Sequence, residues 1–204
     1  MNLEKLKEAE SAFLYKYPGG FENPDMLLIG KKHNVGKRIT QAQTCFAKSK
    51  FRNHESICDD MVKVISAASM VSLFEKPKFR DLIKTLPAKQ KQQLSNGLKN
   101  FLHEDQQKGF NAMLEILRSN KMAKWTLMTI IPNYYSPDNE VFVKPTTAKG
   151  VIAAFELSGL AYKPQPTWEF YRAYRNSILE MKDLVDISLR PSNAAFCGFL
   201  MMTL

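Results

Sequence analysis

The chain has 204 residues, 45% apolar and 24% charged, and a formal net charge of +9. That length is enough to bury a core without covalent staples, and the composition excludes disorder over most of the chain. The charge bears on partners rather than fold, and it favours an anionic one: nucleic acid, an acidic membrane surface or an acidic protein.

Cys45, Cys58 and Cys197 are odd in number and far apart. They form neither a disulfide framework nor a paired zinc motif, so reduced thiols and a cytoplasmic setting are expected. The opening Met1-Asn2-Leu3-Glu4-Lys5 lacks the apolar stretch of a signal peptide. The longest apolar run, Ala194 to Met202, is broken only by Gly198 and is far short of the about 20 residues that span a bilayer. No membrane partner is expected.

Leu3, Leu6 and Phe13-Leu14 mark an opening helix that Pro18-Gly19-Gly20 stops. Met26-Leu27-Leu28-Ile29 is a short apolar run of undecided type. Asn34 is a candidate cap for a helix with Val35, Ile39, Ala42 and Phe46 on one face. Ile57, Met61, Val64, Ile65 and Ala68 form the next stripe, capped by Asn53 or Ser56. Phe79, Leu82, Ile83 and Leu86 form another, which Pro87 ends while suiting the first turn of its successor. Leu94, Leu98 and Phe101 belong to that successor. Phe110, Met113, Leu114 and Leu117 make one more.

The texture changes after Asn120. Trp125 to Ile131 and Val141-Phe142-Val143 are rich in β-branched and aromatic residues, with turn residues between them. A small β-hairpin or short strands near residues 125–144 is the expectation. A Thr-capped helix then runs from Thr146 to Leu157, with Gly159 at its end. Thr167 caps a long helix bearing Tyr171, Tyr174, Ile178, Met181 and Val185, which Pro191 ends. The fold expected is mainly α: a multi-helix globular domain with this small β element. It forms one compact unit over 1–204, or divides into a helical part, 1–120, and a mixed α/β part, 121–204.

The stretch from Lys31 to Arg52 carries Lys31, Lys32, Lys37, Arg38, Lys48, Lys50 and Arg52, with His33 and no Asp or Glu. On its helix, Lys37, Gln41, Thr44 and Lys48 fall opposite the apolar face. One greasy and one basic face is the footprint a phosphate backbone uses. A solvated face, or one paired with distant acids, is the alternative. The same stretch falls short of a phosphate-binding loop: five residues separate Gly30 from Gly36, and Arg38 replaces the hydroxyl that holds magnesium.

Thr146, Thr147 and Lys149 open a helix ahead of the extended basic segment Leu160 to Lys163, as in a recognition helix and its wing. Tyr162, Lys163, Trp168, Phe170, Tyr171, Arg172, Tyr174 and Arg175 interleave aromatics with cations, as single-strand binders do, but the helical stripe favours core. His54 begins like a metalloprotease helix, yet Cys58 stands where its second histidine belongs. Glu140 lacks the lysine a nuclease core places two residues on, where Phe142 stands. No catalytic set, metal set or cofactor is nominated.

The leading expectation is a non-enzymatic protein that binds nucleic acid through the Lys31–Arg52 face, with Thr146, Thr147 and Lys149 as second contact. One alternative is an assembly protein or homo-oligomer using Phe196, Phe199, Leu200 and Met202, which are costly to leave exposed. Another is an enzyme assembled from scattered residues, of which Asp138, Glu140, Lys144 and His54 are the candidates.

Overall fold

Eleven α-helices carry the chain in a computed structural model that describes residues 1–204. They are α1 (Leu3–Lys16), α2 (Pro24–His33), α3 (Val35–Cys45), α4 (His54–Ala67), α5 (Glu75–Thr85), α6 (Ala88–His103), α7 (Gln106–Ser119), α8 (Trp125–Tyr135), α9 (Pro145–Ala154), α10 (Trp168–Asp183) and α11 (Asn193–Met202). Short 3-10 turns lie at Gly20–Glu22, Lys48–Arg52 and Ile187–Leu189. No helix is long and apolar enough to cross a membrane.

Local chemistry fixes many of the boundaries. Asn53 accepts from the Ser56 amide at 3.0 Å and starts α4; Asp105 accepts from Lys108 at 2.9 Å and starts α7; Thr167 accepts from Phe170 at 3.3 Å and starts α10. Each cap satisfies an amide that the helix itself leaves free, worth about 1 kcal/mol. Asn34 does something else. Its φ of 49° ends α2 in the left-handed region, and its side chain makes no cap bond to α3. Asparagine is among the few residues that tolerate this conformation, so two helices meet here at a single residue. α9 is likewise not capped by threonine. Lys144 precedes Pro145, which occupies the first turn where no amide is needed.

The expected β element is absent. Residues from Trp125 run as α8, straight through Pro132, and every residue from Trp125 to Tyr134 is buried. In a helix buried on all sides the period is faint: Thr126, Thr129 and Asn133 fall at helical spacing, but in a run otherwise apolar enough to pass for a buried strand. Val141-Phe142-Val143 is extended and buried but pairs with no strand. Side chains satisfy part of the backbone here. The Val143 amide donates to Thr129 Oγ1 at 3.0 Å, and Asn193 Nδ2 donates to the Glu140 carbonyl at 3.0 Å. Buried backbone must find partners somewhere, and here α8 and α11 supply them.

α8 lies at the centre, in contact with α3, α4, α6 and α7. α6 and α7 form the most extensive helix pair, and glycine sets their separation. A β-carbon on Gly109 would stand 2.1 Å from the Phe101 amide nitrogen and 2.6 Å from the Gly97 carbonyl oxygen. α10 packs on α7 and α11, and α11 on α9. Buried apolar residues from Leu6 to Leu200 form one cluster, with members on both sides of Asn120.

Candidate nucleic-acid interface

α2 and α3 lie at the edge of this core and bury little. Met26 alone is fully buried on α2, and Ala42 alone on α3. Phe46, at the end of α3, is also sealed inside, and His103 Nε2 donates to its carbonyl at 2.9 Å. Phe51 packs edge-on against the same His103 ring, 5.6 Å between centroids. These contacts pin one side of the segment and leave Lys48, Lys50 and Arg52 in solvent on the 3-10 turn. Lys31, Lys32 and Lys37 are exposed as well. Lys31 and Lys32 occupy the last turn of α2, where the helix dipole favours cations.

Arg38 and Gln41 depart from the expected face. Both are half-buried, and Arg38 Nη1 donates to Gln41 Oε1 at 2.6 Å. The outer face of α3 is instead Lys37, Thr40, Gln43 and Thr44. The Thr40 and Thr44 hydroxyls donate to carbonyls one turn back, at 3.2 and 2.8 Å, which leaves their oxygens free to accept. Beneath Arg38, the Tyr134 hydroxyl has no protein hydrogen-bond partner. Burial pushes that hydroxyl up to about 12, against the opposing field of Arg38.

None of the seven cations forms an ion pair, although nine such pairs form elsewhere in the chain. Two neighbouring acids are already taken. Glu104 binds Lys99 at 3.0 Å, and Asp60 binds Lys63 at 2.9 Å. The Lys99 bond, with the field of Lys48 adding to it, holds the Glu104 carboxyl below its ordinary range. No ridge cation thus has a carboxylate within ion-pair distance, although the field of Lys48 is felt at Glu104.

The second segment is only partly accessible. Thr147 is buried and has no surface to offer a groove. Lys149 is exposed, with its Nζ 5.1 Å over the Tyr162 ring. Thr146 lines a cleft with Lys144, Ser69, Ser72 and Thr126. Ser69 Oγ lies 2.9 Å from His33 Nδ1, so the end of α2 and the start of α9 meet across this serine. Nothing in the sequence pattern joins those two segments. The loop that links them, Ser69–Phe74, carried no periodic signal; its one mark is the apolar pair Leu73-Phe74 in a serine-rich stretch.

The remaining candidates resolve into structure. Trp168, Phe170, Tyr171 and Tyr174 are buried core residues. Glu140 is buried and bonded on all sides: Arg175 Nη1 at 2.7 Å, Gln106 Nε2 at 2.7 Å and the Tyr171 hydroxyl at 2.5 Å. Burial, reinforced by Glu140, pushes Tyr171 well above its ordinary value. Asp138 is exposed and faces Lys182 at 3.8 Å, while His54 Nδ1 sits 3.1 Å from Ser95 Oγ. Lys144 lines the cleft. The four have separate partners, and none bonds to another. Burial raises the Cys58 and Cys197 thiols to about 12, far from the thiolate a nucleophile needs. No three His, Cys, Asp or Glu side chains are grouped so as to hold a metal ion. In the tail, Phe196, Phe199 and Leu200 are fully buried within the chain; only Met202 of the four nominated residues reaches solvent.

Comparison with protein-family models, with curated proteins and with solved structures finds no match to this chain.

Proposed function

We propose that the protein binds nucleic acid through the ridge formed by the end of α2, the outer face of α3 and the Lys48–Arg52 turn. The observation that carries this reading is the set of seven cations within one stretch that holds no Asp or Glu, none of them in an ion pair. Leaving such a set unpaired brings like charges together, and a polyanion relieves that repulsion while releasing its own counterions. The Thr40 and Thr44 oxygens and the Gln43 amide add groups suited to sugar and phosphate. Contacts of this kind position a backbone and carry no sequence information, so the ridge alone gives affinity without base preference.

The test is a mobility-shift titration of labelled DNA and RNA with the purified chain and with a Lys37→Glu, Lys48→Glu, Lys50→Glu variant. Binding by the parent that the variant loses supports the reading. Equal binding by both, or none by the parent at low salt, removes it.

A further inference from the structure

We propose that the strand this protein takes is single-stranded, and that the cleft beside the Ser69–Phe74 loop receives one of its unpaired bases. The proposal rests on the nucleic-acid reading of the ridge and names the form of nucleic acid that fits it.

Phe74 is 81% exposed and Leu73 is 79% exposed, adjacent residues at the start of α5. A phenyl ring left in water at a loop tip has no role in the core, and its face is a stacking surface for any base. The residues on either side, Leu73 and Glu75, line a cleft of about 480 Å³. That volume lies within the range of small-ligand sites, and a single nucleotide suits it. The wall is mixed: Met70, Val71, Leu73 and Pro145 give it an apolar part, while Ser69, Ser72, Thr126 and Thr146 bring hydroxyls and Lys144 a cation.

The decisive group is Glu75. Its Oε2 accepts from Thr126 Oγ1 at 2.7 Å, which orients the carboxylate at the cleft wall. A carboxylate repels phosphate but accepts hydrogen bonds from the exocyclic amine of a base, as acidic side chains do from cytosine. The cleft thus suits a base edge, while cations around it suit the flanking phosphates. Lys76 and Lys78 follow on α5, neither in an ion pair, and the last turn of α2, which carries Lys31 and Lys32, meets the loop through the His33–Ser69 contact. A base can enter such a cleft only when it is not stacked in a duplex. A lipid surface would meet the same exposed apolar pair and lysines, but it has no use for a hydroxyl-lined wall with a fixed carboxylate.

The experiment is fluorescence anisotropy with the full chain, a labelled 12-nucleotide single strand of mixed sequence and a duplex of the same strand, with phosphatidylglycerol vesicles as a third ligand. Phe74→Ala changes an exposed residue and leaves the core intact. It is expected to lower single-strand affinity about tenfold and to leave duplex binding unchanged, since one stacked base contributes on that scale. Glu75→Gln is expected to narrow the preference for cytosine-bearing strands over thymine-bearing ones. If Phe74→Ala binds the single strand as the parent does, while the triple ridge variant loses binding, the ridge reading stands and the cleft proposal falls. If the parent binds no nucleic acid, both fall. If Phe74→Ala loses only vesicle binding, the loop belongs to lipid and the proposal is overturned.

Discussion

α3 and α8 are each 11 residues long and lie against one another, yet they are built on opposite plans. α8 has no charged residue and is buried from Trp125 to Tyr134. α3 seals only Ala42 and faces solvent with Lys37, Thr40, Gln43 and Thr44. The first helix is held wherever its neighbours hold it, since all its sides are occupied. The second is fixed along one edge, and its outer face is free of packing duties. In this fold the uncommitted polar face lies where burial is least, and α8 packs beneath it.

Removing core mass from α8 is the change with the largest expected effect. Ile130 is fully buried, and Ile130→Ala is expected to destabilise the chain by about 3 kcal/mol in urea unfolding. A loss below about 1 kcal/mol would mean that α8 is not the packed centre described here. Thr129→Val comes next. It keeps the shape but removes the acceptor for the buried Val143 amide, at an expected cost of about 1–2 kcal/mol. Full retention of stability would show that the 141–143 segment is not held from α8. Tyr134→Phe has the smallest effect and the opposite sign. A buried hydroxyl without a protein partner contributes nothing by its presence, so its removal is expected to be neutral or to stabilise by up to about 1 kcal/mol. A clear loss on thermal unfolding would contradict the geometry under Arg38.

The same contrast decides what could be read from the sequence. α3, α4, α7 and α10 were legible because each has one apolar stripe, and the stripe's period is visible in the residues themselves. α8 was not, because burial on every side leaves only the spacing of Thr126, Thr129 and Asn133 as a helical sign, and its Thr, Ile and Trp content imitates a strand. Val141-Phe142-Val143 does have strand-like residues, but a strand needs a partner, and pairing is a property of the whole fold. The basic ridge was visible as composition from Lys31 to Arg52. Its lack of ion pairs was not, because some of the pairs in this fold join residues far apart in the chain, as Lys91 with Glu55 and Arg175 with Glu140 show. The meeting of His33 with Ser69 had no sequence signal at all. Thr147 looked like a helix-start contact, and only the packing of α9 shows that it points into the protein's interior.

The measurement that tests the ridge most directly is the slope of log affinity against log salt for a single-stranded oligonucleotide. It is made with the parent chain and with a Lys37→Gln, Lys48→Gln, Lys50→Gln variant. Each phosphate contact contributes about 0.7 to that slope, so losing three is expected to flatten it by about 2. The three residues are exposed and unpaired, so thermal stability is expected to stay unchanged. A parent slope near zero, or equal slopes for the two proteins, would contradict the account.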